Sequence, residues 1–424
     1  MADLASEHIA DLHARAVELG IEGFRKLERK ALVAEIIERG GGDGPAPAAG
    51  EVAGTGTLEP AGRDRAVVTD AGGPVEEDAA TVEVSGILDI LPQRYGFLRL
   101  QGLEADAADV YVSASQVRRC ELRAGDEVSG PAREPRRGER HRALVHIDRV
   151  NGTEPPTPER PAFEDLPAIA PERRLALDSD PSDVLARAVD LLSPLALGQR
   201  VLVRAAPRSG RTTLLRGIAR AIAAAEGVEL TVLLVDERPE EATAWREAVE
   251  GVQFAIATSD MEPGDQLRLA ELALARVRRR AESGGDAVLL VDSLSRLDYA
   301  AGDVAAVRRL FGSGRNLAGG GTLTVIATTL VDAEDEGAAE RAVGTTESSV
   351  ITLDPQLAAL GINPAIVAAE CRVSNEETLR QGDELEAVRK LRGALAGLEA
   401  ADAAAYLRER IEASASNAEL LKAL

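Results

Sequence analysis

The sequence is poor in the residues that usually announce a function at once. Of 424 residues only two are cysteine, four histidine, two methionine and ten aromatic, and only four of the 49 basic residues are lysine. Cys120 and Cys371 are too few for a disulfide framework, and with scattered histidines they offer no metal-ligand spacing, so both read as structural. No apolar run is long enough to span a bilayer, and the opening "MADLASEHIADLH" has early acids and no apolar core. The expected location is therefore the cytoplasm, without a membrane partner. Positive charge is also short: the net charge of −22 opposes indiscriminate binding to a polyanion unless basic residues are concentrated locally.

What is present is organised in blocks. Residues 1–40 carry helical spacing (Leu12, Ala16, Leu19, then Leu27, Leu32, Ile36) and read as a small helical module. Residues 41–80 turn to Gly, Ala, Pro, Glu and Asp without periodicity, the composition of a flexible acidic linker. Over 81–151, five short runs ("TVEVSGILDIL", "YGFLRL", "DVYVS", "DEVSG", "RALVHIDRV") alternate with turn residues and predict a small barrel of the OB or cold-shock kind. A Pro-rich connector occupies 152–176. From 177 to 424, apolar strands ("VLVRAA", "LTVLLVD", "VQFAIA", "AVLLVD", "TLTVIATT") alternate with amphipathic stretches, which predicts an α/β domain: a parallel sheet with helices on both faces.

In the α/β part, "AAPRSGRT" (Ala205–Thr212) follows a strand and opens a helix, as a phosphate-binding loop does. It keeps Gly210 and Thr212 but lacks the first glycine and the lysine, whose place Arg211 takes. Pro207, Arg208, Ser209, Gly210, Arg211, Thr212 and Thr213 are thus the candidate phosphate cradle. The helix start presents free N–H groups, and the Thr212 hydroxyl can bind Mg²⁺. "AVLLVDS" ends in Asp292, a second candidate for the metal's water shell, and "TVLLVDERPEE" ends in Glu237, a carboxylate placed to orient an attacking water. The three converge where ligands bind in such sheets, at the carboxyl ends of the strands.

In the barrel, Tyr95 and Phe97 stand two apart with Arg99 on the same face, and Tyr111 adds a third ring. Rings spaced this way stack successive bases while arginines meet phosphates. The stretch from Arg133 to Arg149 holds six arginines and three acids, a local positive surface in an acidic chain. Solvated charge remains the alternative for that stretch.

These features in this order resemble bacterial transcription termination factor Rho over nearly the whole chain. "ILDILPQRYGFLRL", "DVYVSASQVRRCELRAGDEVSG" and "GERHRALVHIDRVNG" are similar to its RNA-binding barrel. "LLSPLALGQRVLVRAAPRSGRTTLL", "VLLVDERPEE", "LLVDSLSRL" and "GGGTLTVIATTLVD" are similar to its RecA-like P-loop motor. The resemblance implies a homohexameric ring that binds single-stranded, pyrimidine-rich RNA, moves along it as an ATP- and Mg²⁺-dependent helicase and hydrolase, and releases transcripts from RNA polymerase. It adds Asp109, Glu139 and His141 to Tyr95, Phe97, Arg99 and Tyr111 in the RNA site, and Arg238 to Glu237 in the catalytic site.

Most departures lie in the motor, and one in the barrel. Arg211 replaces the family's lysine, a planar cation in place of a point charge. His141 stands at a family tyrosine. A Gly-rich channel loop is missing between "DSLSRLDYAAGD" and "VRRLFGSGRN", Asn363 takes the place of an adenine-stacking ring, and Ser374, with Arg372 nearby, stands at the arginine finger. Loss of such a finger costs about three to five powers of ten in turnover. The alternative expectation is accordingly a non-catalytic paralogue that binds RNA, or that co-assembles with an active member and modulates it.

Overall fold

Two hydrophobic periods build the described part of the chain, one barrel and one layered sheet. The computed structural model describes residues 81–155, 160–178, 180–302, 304–331 and 337–424. The module and linker expected over 1–40 and 41–80 lie outside the described residues. The chain divides into two compact units, Met1–Pro74 and Val75–Leu424, and all that follows concerns the second.

The barrel is formed by β1 (Thr81–Ile90), β2 (Gly96–Arg99), β3 (Val110–Val112), β4 (Glu127–Arg133), β5 (Arg142–Leu144) and β6 (Arg149–Val150), with a short helix, α1 (Ala114–Arg119), after β3. The strand order is β1-β2-β3-β5-β4-β6, and pairing of β1 with β4 closes it. Alternation sends Leu88, Leu98, Val110, Val112, Val128 and Leu144 inward, where they are buried together. The expected fifth strand is in fact two. Chain leaves the ladder between Leu144 and Arg149 and crosses Gly130, where any Cβ would stand 2.4 Å from the His146 carbonyl oxygen.

In the second layer system β8 (Arg200–Ala205), β9 (Val228–Glu237), β10 (Gln253–Thr258), β11 (Asp286–Asp292), β13 (Thr322–Leu330) and β14 (Ser349–Leu353) run parallel in the order β10-β9-β11-β13-β8-β14. The edges are completed by β15 (Arg372–Val373) beside β14, and by β12 (Arg315–Leu317), which pairs with β13 and with β7 (Ala168–Ile169) of the connector. Strands buried on both faces read as unbroken apolar runs, which is why these segments stood out in the sequence.

Helices cover both faces. On one side α2 (Val184–Leu192), α3 (Arg211–Ala223) and α4 (Pro239–Ala248) pack with Val201, Val203, Val232, Leu234 and Leu290. On the other, α5 (Pro263–Glu282), α6 (Leu294–Ala301), α7 (Val304–Phe311) and α8 (Ala338–Val343) pack with Leu202, Leu233, Leu289, Val291 and Val325. Alternate residues of one strand thus feed two cores. Among the described residues no helix is long and apolar enough to cross a membrane.

The barrel sits directly on α5. At Gly125, with φ +82°, a Cβ would come within 2.4 Å of the Ala275 carbonyl carbon, so only glycine permits the approach. Arg276 ties Glu127 of β4 at 3.1 Å, and Arg268 ties Asp89 of β1 at 2.8 Å.

Candidate nucleic-acid interface and nucleotide site

Antiparallel pairing of β2 with β3 sets Phe97 opposite Tyr111. Their neighbours Leu98, Val110 and Val112 point inward, so the two rings face out and are half-buried. Tyr95, in the turn before β2, brings its ring to 6.0 Å from Phe97 and 5.5 Å from Tyr111, and His141 lies 5.0 Å from Phe97. Phe97 and Tyr111 meet edge to face at 6.0 Å. Four rings from three segments therefore form one surface, with edge-on or tilted spacings that hold them without collapsing the gaps between them. The His141 ring nitrogen Nδ1 sits 3.2 Å from the Asp109 carbonyl oxygen, which fixes that ring's orientation.

Arg99, expected among the rings as a phosphate contact, is instead beneath them. It is 9% exposed, with Nη1 donating to Asp109 at 2.5 Å and Nη2 to Asp89. Asp89 also accepts from Arg268 of α5. The guanidinium lies 5.9 Å from the Phe97 ring centre, so the aromatic surface rests on a charged clamp that continues into the α/β layer. Asp109 Oδ2 accepts a second hydrogen bond, from the Asp106 amide at 2.9 Å, while Oδ1 has no partner among the described residues.

Glu139 is held at the base of the arginine-rich loop. Both its oxygens accept from Arg133, at 2.7 and 2.8 Å, and the Arg136 amide donates at 2.9 Å. The Arg133 hydrogen bond draws its carboxyl down to about 2. Arg142 is paired with Glu134 at 2.7 Å, whereas Arg136, Arg137 and Arg149 are exposed. Local acids thus consume part of the positive charge counted in the sequence.

The phosphate loop connects β8 to α3. Gly210 has φ +83° and open space around it, so the left-handed turn itself requires glycine. No side chain caps α3, which leaves the amides of its first turn available to an anion. Ser209 is 1% exposed and its Oγ has no partner among the described residues. Ser209 and Gly210 open onto a cavity of about 190 Å³ lined by Leu185, Leu214, Leu353, Ile362, Asn363 and Pro364. The cavity joins the loop to Asn363, the position where no ring is available to stack a base.

The two strand-end carboxylates lie in one network with two arginines. Asp292, at the end of β11, is wholly buried. Its Oδ1 accepts from Thr328 at 3.0 Å and lies 3.2 Å from Arg211 Nε, a close ion pair short of hydrogen-bond alignment, while Oδ2 has no partner among the described residues. Burial pushes the Asp292 carboxyl up and the Arg211 and Arg296 guanidiniums pull it back. Glu237, at the end of β9, is 6% exposed, with Oε2 2.8 Å from Arg296 Nη1 and Oε1 accepting from the Arg238 amide at 3.1 Å. Arg238 is the residue that precedes α4, at its N-cap, and is exposed.

Three residues escaped the sequence reading: Arg296, Asp89 and Arg268. Arg296 follows Asp292 by one helical turn in "DSLSRL", a spacing that carried the signal. Nothing in the sequence marked Asp89 or Arg268. α6 ends at Ala301 and α7 begins at Val304. Arg372 pairs with Glu347 at 2.7 Å, and the Ser374 amide donates to the Ser348 carbonyl at 2.8 Å.

An OB-like barrel carrying an aromatic surface, followed by a parallel-sheet domain with a phosphate loop, defines a nucleic-acid-binding P-loop protein. Family models match both parts: residues 84–156 match the Rho termination factor RNA-binding domain, and 186–315 the nucleotide-binding domain of the ATP synthase alpha/beta family. The chain is 36% identical over 376 residues to transcription termination factor Rho of Aquifex aeolicus, covering 82% of this chain and 86% of that one. It is 37% identical to Rho of Bacillus subtilis (75% and 79%) and 38% identical to Rho of Streptomyces lividans, of which it spans 52% of the length against 82% of its own. A solved structure of a type III secretion system ATPase superposes with a TM-score of 0.52 at 19% identity, over 66% of this chain and 93% of that one, which supports the fold. The chain belongs to the transcription termination factor Rho family.

Proposed function

We propose that this chain is a cytoplasmic, RNA-binding and ATP-binding termination factor that works as a homohexameric ring on transcripts held by RNA polymerase. The observation that carries the reading is the four-ring surface of Tyr95, Phe97, Tyr111 and His141. Rings fixed at 5.0–6.0 Å with gaps between them offer π-faces to successive bases. Asp109 is buried below the rings, where it holds Arg99 and so supports the stacking surface. Exposed Arg136, Arg137 and Arg149 supply the phosphate contacts that Arg99 does not.

ATP belongs at the loop. Uncapped amides of α3 and the Ser209 hydroxyl supply donors for phosphate, and the apolar cavity receives the base. Glu237, held by Arg296, is the group to orient an attacking water, a role worth about two to four powers of ten. Magnesium, expected on Thr212 and Asp292, fits the donor set poorly: Asp292 Oδ1 is shared by Thr328 and Arg211, and its Oδ2 is sealed from solvent.

A second reading, a non-catalytic member that binds RNA and modulates an active one, is favoured by that same Arg211–Asp292 pair, with Asn363 and Ser374 in support. Phosphate release by the purified chain with and without poly(C), beside Glu237→Gln, separates the two. RNA-stimulated release that drops by about two to four powers of ten in Glu237→Gln supports the motor. No release by a chain that still retains poly(C) on a filter supports the binding protein, and no retention of poly(C) overturns both.

A further inference from the structure

In phosphate-transfer sites of this layout a strand-end carboxylate faces a metal, and a cation on the loop faces the phosphates. Here the loop cation has turned to the carboxylate. Arg211 is the first residue of α3, and its Nε is 3.2 Å from Asp292 Oδ1 with the side chain 15% exposed and Asp292 wholly buried. The contact uses one edge of the guanidinium. Among the described residues the two Nη atoms have no partner, and they belong to a residue whose own amide is part of the uncapped helix start. A planar fork presents separate edges to two anions at fixed angles, whereas an ammonium is a compact point charge on a flexible stem.

Among the described residues the two strand-end carboxylates each have a cation. Asp292 and Glu237 are matched by Arg211 and Arg296, each within 3.2 Å of its partner. A divalent cation placed at Asp292 would displace Arg211 or meet its positive charge in a site shielded from water, where like charges repel strongly. A buried and unpartnered Ser209 hydroxyl on the same loop is a further donor for an anion, and needs no metal either.

We propose that Arg211 is the resident cation of this site: bridging Asp292 and the bound phosphates, it lets a nucleoside triphosphate bind without a divalent metal. The proposal rests on the loop's being a nucleotide site, as inferred above. Arg211 is a positioning residue in this account, and Asp292 is its anchor rather than a metal ligand. The exchange of lysine for arginine is then a change of binding chemistry, not a neutral drift in a lysine-poor chain.

Calorimetric titration of the full chain with an imido-linked ATP analogue, in Mg²⁺ and in EDTA, tests this. Wild type is expected to bind equally within about threefold in both, and Arg211→Lys, whose compact ammonium leaves Asp292 open, to bind at least about tenfold more tightly with Mg²⁺ than without. Wild-type binding that is tenfold or more dependent on Mg²⁺ overturns the proposal while leaving the nucleotide site intact. Absence of wild-type binding in both buffers overturns the nucleotide site and the proposal with it. Should Arg211→Lys fail to fold, electron paramagnetic resonance of Mn²⁺ added to wild type with the analogue decides. A signal matching Mn²⁺–nucleotide in buffer supports Arg211 as the cation, and a protein-bound ternary signal overturns it.

Discussion

The barrel face and the phosphate loop both place an arginine against buried carboxylate, with opposite consequences. Under the barrel rings, Arg99 is clamped by Asp89 and Asp109 below the surface, and the ligand face above it is left to aromatic side chains. At the loop, Arg211 reaches Asp292 across the place where the ligand's own counter-ion belongs. In the first case the ion pair is a foundation, so the site keeps its contacts free. In the second it is an occupant, so the site's chemistry changes with it. The same residue type therefore conserves one function and alters another, depending on whether its partner lies beneath the ligand or beside it.

The largest expected effect tests the foundation. Asp89 and Arg99 are each less than a tenth exposed; a buried pair that loses one partner costs about 3–5 kcal/mol, and because Asp109 still holds Arg99 the loss of Asp89 falls at the low end of that range. Asp89→Ala is expected to lose that much in urea unfolding of the described unit and to weaken RNA binding as the rings lose their support. Arg268→Ala, which removes the half-exposed arm of the same network, is expected to cost under about 1 kcal/mol. Equal losses in the two variants would show that Asp89 acts through the barrel–helix contact rather than through Arg99.

Phe97→Ala tests the surface itself. One stacking ring is worth about 1–3 kcal/mol per base, so Kd for a labelled oligocytidine at fixed salt should rise roughly 5- to 150-fold in fluorescence anisotropy. Nucleotide binding at the loop should stay within twofold of wild type. A change at the loop as large as that at the barrel would erase the distinction between the two regions.

How much of this was legible in the sequence follows the same division. The apolar runs of β8, β9, β11 and β13 and the alternation of Phe97 with Leu98 are local patterns, and the fold class and the ring surface were readable from them. The fifth barrel run was read as one strand because its break depends on Gly130 of another strand. Arg99 was expected beside the rings as a phosphate contact because it shares their strand face, and its burial depends on Asp89 and Asp109, each ten residues away on neighbouring segments. The Arg211–Asp292 pair joins two elements far apart in sequence, and identity alone could say only that the cation had changed shape. What the sequence withheld were partnerships, which are properties of the assembled chain.

The smallest expected effect concerns the arginine-rich loop, where the barrel's own charges compete with a ligand's. Arg133 holds Glu139 at about 2, below the ordinary value of 4.5. Because the folded carboxyl ionises more readily than the unfolded one, the pair's contribution is complete above pH 4.5 and is lost as pH falls toward 2. Glu139 is 40% exposed, so solvent and salt hold the contribution below about 1 kcal/mol. The Arg136 amide donates to the same carboxylate, so its exchange with solvent reports the pairing. Protection of that amide should persist through pH 4 and fade near pH 2, weaken in high salt, and vanish at all pH values in Glu139→Ala, which has no side-chain acceptor. Loss of protection already at pH 4.5 would mean that the carboxylate is not held by Arg133 and stands open to RNA. The barrel would then resemble the phosphate loop, with a charged group waiting for its partner, and the contrast between the two regions would narrow.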